Sequence, residues 1–470
     1  MTGASKLDHQ LDSKKKSQLI LLICILLIFT VMNGTMFNVA VPDIAEEFGL
    51  MPSQVSWVMT GYILVFAVCS LMYGKLADIY PIKTLISVGV ILFAVGATLG
   101  LIAPNYTTLI VARIIQAVGG ATIPAFAFII PARFLPDEKG KVFGIISSTV
   151  AFASGVGPIA GGLIGGVLEW RFLFVFSMFS ILAVPLLRRW LPEEGKREGT
   201  VDFIGALFLT GFVSGFLMFV TTFNVWVLTI GFFSFILFVW RTLSVREPFI
   251  QPTMLKDRRY TTTVLTSFLG TSALFGMIFV IPIMLRDLYD MSTLGIGFVL
   301  FPGAIFAGFI GQFGGKLIEL RGSQGVVVIA LTLVGAGVLL ISTFAGYSPW
   351  VIAICLLVTY LGFPLIQSST ANLLTTILPN ERTGVGMGLF NLLNFMAGAV
   401  SSALFGSYLD LGNVSYLMNP LALSGDNMIY SNLFFILMLV TVVALSLFTW
   451  VFRGDENKKE EKQQHLASET

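Results

Sequence analysis

Fourteen apolar runs dominate this chain: 18–42, 54–75, 84–103, 107–132, 142–166, 171–190, 203–221, 225–244, 262–285, 293–315, 325–345, 349–376, 384–408 and 429–452. A helix needs roughly 20 such residues to cross a hydrocarbon core about 30 Å thick, so each run is long enough for one crossing. The 470 residues contain only 11% Asp, Glu, Lys and Arg against 56% hydrophobic residues. A soluble domain carries about 25% charged residues, and too few are present here to face water. Mean hydropathy is +0.89. The pattern predicts an all-α polytopic membrane protein with 14 transmembrane helices.

The rare residues exclude other chemistries. The two histidines, His9 and His465, lie in the polar tails, so a histidine metal centre or buried proton relay is not expected. Cys24, Cys69 and Cys355 each sit alone in an apolar run, which argues against disulfides and thiolate metal sites. Gly311 to Lys316 has the wrong spacing for a nucleotide-phosphate loop and Leu317 follows it, so ATP hydrolysis is disfavoured. No cofactor, metal or nucleic-acid partner is called for. Lys14, Lys15 and Lys16 precede the first run as in a signal peptide. That run is too long and lacks a small-x-small cleavage site, so it reads as a retained helix.

Orientation follows from Lys and Arg. With the N-terminus cytoplasmic, 25 of the 28 cations fall on cytoplasmic segments or span ends; Arg113, Arg171 and Arg286 are the others. The seven tryptophans (57, 170, 190, 226, 240, 350 and 450) all fall near expected interfaces. Both termini are therefore expected inside the cell, with the chain multi-pass in the lipid bilayer of a cell membrane.

Two short elements repeat. Leu135-Pro-Asp-Glu-Lys139 returns as Leu378-Pro-Asn-Glu-Arg382, and Gly74-Lys-Leu-Ala-Asp78 returns more loosely as Gly315-Lys-Leu-Ile-Glu319. The offsets, 243 and 241 residues, nearly agree. Duplicated halves follow: a tail at 1–17, a six-helix bundle at 18–190, an inserted hairpin at 203–244, a second six-helix bundle at 262–452 and a tail at 453–470. A site between duplicated halves is a transporter architecture.

The loop Gly74, Lys75, Leu76, Ala77, Asp78 to Lys83 places a carboxylate beside the third span, where it can latch one conformation. Gly315, Lys316 and Glu319 stand at the matching place in the second half. In the fourth span Arg113, Gln116 and Gly120 share one helix face, and a cation inside a span usually faces protein or water. Snorkelling of Arg113 to the surface is the alternative. The fifth span carries Gly144, then Gly157, Pro158, Gly161, Gly162, Gly165 and Gly166, a small-residue stripe that lets a neighbouring helix approach closely.

These elements resemble the motifs of the major facilitator superfamily: the loop after the second span, the arginine motif of the fourth and the antiporter motif of the fifth. Ile79, Pro81, Ile82, Ala117 and Ala153 depart from the usual residues. Trp170-Arg171, Asp202-Phe-Ile-Gly205, Glu247-Pro-Phe-Ile250 and the fourteen spans resemble the drug:proton antiporters of that size. Asn38-Val-Ala-Val-Pro-Asp-Ile44, Met284-Leu-Arg-Asp287, Ser292-Thr293, Phe301-Pro-Gly303 and Tyr430-Ser-Asn432 are most similar to Gram-positive tetracycline efflux proteins. The resemblance implies a secondary active exporter of small amphipathic drugs, multidrug or tetracycline-like. It would work by proton antiport and alternating access in a bacterial plasma membrane.

One departure bears on mechanism. Where the tetracycline exporters carry acids in the first, fifth and thirteenth spans, this chain has Gly34, Ser154 and Gly398. Its 26 Asp and Glu all lie in tails, loops or span ends. A proton would then be carried by Asp287 beside Arg286, by Asp43 (just after Pro42, where it could simply end the first helix) or by Asp202, with Arg113 and Gln116 as further coupling candidates, or coupling would use another ion. The substrate cavity would be lined by neutral groups: Asn33, Asn38, Gln312, Gln367, Ser368, Asn372, Asn391 and Asn394. Each amide could instead bridge helices. Two other readings stand beside drug export: export of one endogenous metabolite or lipid-like compound, and a non-transporting sensor or scaffold. No paired deep carboxylates or nucleophile–base spacing suggests an enzyme. The sequence gives no oligomeric state.

Overall fold

A hydrocarbon core offers no water to unpaired backbone groups, so each apolar run closes its own hydrogen bonds as helix. The computed structural model describes residues 13–135, 139–195, 202–245, 248, 254–378, 380–412, 414, 416–423 and 428–468. Among them no strand occurs. The helices are α1 (Ser13–Phe48), α2 (Pro52–Ile79), α3 (Ile82–Leu101), α4 (Tyr106–Gly120), α5 (Thr122–Phe134), α6 (Lys139–Val167), α7 (Phe172–Met178) and α8 (Ala183–Trp190). They continue as α9 (Phe203–Thr222), α10 (Val225–Ser244), α11 (Arg258–Tyr289), α12 (Thr293–Phe344), α13 (Pro349–Ile377), α14 (Asn380–Leu409) and α15 (Met428–Ser468). Twelve helical stretches are long and apolar enough to cross a membrane, and two shorter ones, Val156–Val167 and Thr293–Ala307, fall in the fifth and tenth runs.

Several element boundaries differ from the apolar runs for physical reasons. The first helix does not stop at Pro42 but continues to Phe48. Proline removes one backbone donor, and the packing of Val39, Ala40, Val41 and Ile44, all fully buried, holds the helix through it. The fourth run is two helices, α4 and α5, broken at Ala121. The sixth is α7 and α8 joined by a 3-10 turn at Phe179–Leu182. Conversely, the tenth and eleventh runs join in α12. Its 52 residues would reach about 78 Å if straight, too long for one crossing. The chain reverses at Gly322, whose φ of 70° and ψ of 158° suit glycine alone.

The helix starts are capped where the apolar runs meet polar residues. Asn105 accepts from the Thr108 amide at 2.9 Å, Asp202 from Gly205 at 3.0 Å and Asp257 from Arg259 at 2.8 Å. The end of the molecule where α1 begins is called here the near face, and the end where α1 finishes the far face. Two long seams join the halves: α6 against α12 and α2 against α14. The α9–α10 hairpin leans through α9 on α2 and α14, beside the second seam. At the far face one apolar core spans both halves, with Met36, Phe37 and Ile44 packed in the same cluster as Met284, Ile296 and Leu300. At the near face a separate cluster of Leu19, Ile23, Ile86, Ile130, Ile146 and Leu187 draws on N-terminal helices only.

Candidate functional site

Arg113 lies in the middle of α4 and is fully buried, so it does not snorkel. Its Nη1 donates to Asn33 Oδ1 of α1 at 2.8 Å and to Gln116 Oε1 at 2.7 Å, and its Nε donates to the Val58 carbonyl of α2 at 3.3 Å. The rings of Phe37 and Tyr62 cover the guanidinium at 4.3 and 4.0 Å. Asn33 in turn donates to Ser177 of α7 at 2.8 Å. The spacing of Arg113 and Gln116 on one helix face was legible in the sequence. Tyr62, Phe37 and Ser177 come from other helices, and nothing in the sequence marked them.

The second half holds a matching polar network that is entirely neutral. Asn394 of α14 accepts from Ser267 at 2.9 Å and from Thr271 at 3.5 Å, both on α11. Gln367 of α13 donates to Thr271 at 3.0 Å and accepts from Asn394 at 3.4 Å. The sequence candidates Gln367 and Asn394 therefore meet. Ser368 is half-buried and makes only a long bond to its own helix, at 3.4 Å to the Leu365 carbonyl. Asn372 is exposed and ties Ser323, beside the α12 reversal, at 2.7 Å. Asn391 is exposed and Asn38 half-buried, and neither joins these two networks.

At the far face the halves are latched. Arg286 of α11 donates to Asp43 of α1 at 2.6 Å and to Thr293 of α12 at 2.9 Å, and Thr293 donates to the other Asp43 oxygen at 2.6 Å. Arg286 was expected beside Asp287. It points elsewhere because consecutive helix residues do not face each other, and Asp287 accepts from Tyr430 of α15 at 2.9 Å instead. Asp202 caps α9 and pairs with Arg241 of α10 at 3.0 Å, so it is held inside the hairpin. Thr293 and Tyr430 were quoted in sequence motifs but given no role.

The α6 glycines sit on two faces at once. A Cβ at Gly157 would strike the Thr35 hydroxyl, and one at Gly161 would lie 2.7 Å from the Met36 carbonyl, both on α1. On the other side a Cβ at Gly162 would lie 3.0 Å from the Thr293 carbonyl of α12. From α12 a Cβ at Gly297 would lie 2.8 Å from the Pro158 carbonyl. Backbones this close leave room for hydrogen only.

At the near face, Gly74 to Asp78 form the last turns of α2, not a loop, with Tyr80 N bonded to the Leu76 carbonyl at 2.8 Å. Gly315, Lys316 and Glu319 are likewise helical, within α12. The only connection is Tyr80-Pro81, since α3 begins at Ile82. Arg133 of α5 holds that end through the Ala77 carbonyl at 3.0 Å and Glu194 at 3.1 Å. Lys75 donates to the Pro248 carbonyl at 3.1 Å and Lys83 to Glu193 at 3.4 Å. Glu193 and Glu194, placed after the sixth span, were not singled out in the sequence. The side chains of Asp78, Lys139, Ser154, Gln312 and Arg382, and the surroundings of Gly144 and Gly315, lie outside the described residues.

Two halves joined along paired helices, with buried polar groups behind the seams and no membrane-external domain among the described residues, define a polytopic membrane transporter. The chain belongs to the Major Facilitator Superfamily, whose family model matches residues 23–402. It is 26% identical over 406 residues to the riboflavin transporter RibZ of Clostridioides difficile, covering 84% of this chain and 88% of that protein. It is 23% identical over 412 residues to the lincomycin resistance protein LmrB of Listeria innocua, covering 85% and 88%. In fold it is similar to a bacterial homolog of the human lysosomal transporter Spinster, solved in an inward-facing and unoccupied conformation. The TM-score there is 0.63 at 16% identity, over 94% of this chain and 98% of that one.

Proposed function

We propose that the protein exports small amphipathic compounds from the cytoplasm of a bacterial cell, in exchange for protons. The bundles at 18–190 and 262–452 rock about the α6–α12 and α2–α14 seams, while the hairpin at 203–244 rides beside the second. Both termini face the cytoplasm. The observation that carries this reading is the far-face seam. The glycine faces of α6 lock α1 against α12, and Asp43, Arg286 and Thr293 tie the same elements by bonds that can part and re-form. The resemblance of the α6 motif to that of fourteen-span drug:proton antiporters supports the outward direction, as does the relative named for lincomycin resistance. The Gly34, Ser154 and Gly398 departures set tetracycline itself apart from the substrates.

With no acid deep in a span, the proton is carried at a span end. Asp43 is the best placed of the three sequence candidates, because among them it alone bridges the halves; Asp202 is tied within the hairpin and Asp287 within the C-terminal half. Transport of one endogenous metabolite is a second reading, favoured by the relative named as a riboflavin transporter. Everted vesicles exposed to a compound panel while internal pH is followed test both. Proton release from the lumen coupled to uptake of several unrelated amphipaths supports drug export, coupling to a single compound supports the second reading, and no uptake defeats both.

A further inference from the structure

Among the described residues, the buried cation Arg113 bonds to no carboxylate. Its bonded acceptors are the neutral oxygens of Asn33, Gln116 and Val58. Such a group is costly to desolvate, and the rings of Phe37 and Tyr62 over it do not supply the full charge that an anion would. The chain itself supplies none there, since its Asp and Glu all lie in tails, loops or span ends. Three polar atoms around it also lack any hydrogen-bond partner: Arg113 Nη2, Gln116 Nε2 and the Tyr62 hydroxyl. Arg113 and Gln116 share one face of α4, and the Tyr62 ring of α2 covers the guanidinium there at 4.0 Å. A Cβ built at Gly120, one turn beyond Gln116, would lie 3.4 Å from the Tyr62 hydroxyl. Two of the three are N–H donors and the third can donate, so together they present a surplus of donors to a fixed positive charge.

We propose that Arg113, with Gln116 and Tyr62, is the docking point for an anionic group, a carboxylate or its like, on the transported compound. The inference rests on the export reading and names its substrate class. Tyr62 stacks on Phe66 at 5.7 Å, and Phe66 meets Phe395 of α14 at 5.3 Å, so the cluster lies directly behind the α2–α14 seam. Parting that seam withdraws Phe395 and opens a way to the guanidinium. The facing half offers Gln367 and Asn394, whose neutral amides suit the uncharged polar part of the same molecule. The donor array, the missing counter-charge and the position at the seam all call for an anion at this place.

Three xanthene dyes of similar size test the charge: fluorescein as the anion, its methyl ether methyl ester as the neutral form and rhodamine 6G as the cation. Energised uptake into everted vesicles is measured for wild type, Arg113→Gln, Arg113→Lys and Tyr62→Phe at matched protein abundance. Wild type is expected to prefer fluorescein. Loss of a hydrogen-bonded charge partner lowers its uptake by Arg113→Gln at least about tenfold. Arg113→Lys keeps part of the uptake, and Tyr62→Phe, which keeps the ring over Arg113, raises KM for fluorescein about threefold. Uptake of rhodamine 6G or the ester in preference to fluorescein overturns the inference and leaves export standing, as does full fluorescein uptake by both Arg113→Gln and Tyr62→Phe. Energised uptake of no dye at all overturns the export reading, and the anion site falls with it.

Discussion

Asp43 and Arg286 stand 243 positions apart in the chain and 2.6 Å apart in the fold. Their side chains are 20% and 29% exposed, and Thr293 bonds to both, so the contact is shielded more than a surface ion pair. A charge-assisted bond in such a place is worth about 1 to 2 kcal/mol, enough to shift a two-state balance about tenfold. Asp43→Asn should therefore release the far face. In an Ile296→Cys background, buried at that seam, maleimide labelling should rise about tenfold by that balance, and the exchange Asp43→Arg with Arg286→Asp should restore protection. Equal labelling with and without Asp43→Asn would show that apolar packing alone holds the face shut. At this scale the sequence revealed chemistry along one helix but not across helices. Arg113 and Gln116 were paired by their i, i+3 spacing. Arg286 was paired with Asp287 only because the two are adjacent, and its real partner had to come from another half.

The α6 helix shows what a small-residue stripe does at the scale of an element. Its glycines are not equivalent. A Cβ at Gly161 meets the Met36 backbone carbonyl at 2.7 Å, whereas one at Gly165 meets a Thr293 methyl at 3.6 Å and the Trp170 Cα at 3.8 Å, both ordinary contacts. Backbone cannot step aside as a side chain can, so Gly161→Ala must push α1 and α6 apart. Gly161→Ala is expected to abolish substrate uptake in everted vesicles, and Gly165→Ala to retain most of it at equal abundance. The reverse order would detach the motif from helix approach. Helix existence was legible from apolar runs, since a bilayer allows nothing else there. Helix boundaries were less so. Pro42 reads as an end but is carried by packing, and the loop at Gly74 to Asp78 proved to be helix because the turn it feeds needs only Tyr80 and Pro81.

For the whole molecule, the paired motifs at nearly equal offsets point to duplicated halves, whereas the α6–α12 and α2–α14 seams were invisible because their contacts lie far apart in sequence. Orientation still rests on the cation bias. If the termini are cytoplasmic, a cysteine at Tyr347, between α12 and α13 at the far face, labels from outside intact cells and one at Glu193 does not; the opposite result inverts the transporter. Energetics then follow from charge. A proton moving inward and an anion moving outward carry current in the same sense, so their exchange is doubly favoured by an interior-negative potential. Each charge is worth about 2.3 kcal/mol per 100 mV. A cationic drug exchanged for one proton would move no net charge and respond to the pH gradient alone. Proteoliposomes separate the cases. A potassium gradient with valinomycin imposes potential without a pH difference, and nigericin removes the pH difference while sparing potential. Fluorescein transport should be driven by potential alone and only partly reduced by nigericin. The Asp43→Asn variant should lose the pH-driven component and keep the electrical one, because the proton leaves from the far-face latch while the anion rides on Arg113. Transport that ignores an imposed potential and follows only the pH gradient would rule out an anionic substrate, and transport that follows a sodium gradient would rule out the proton.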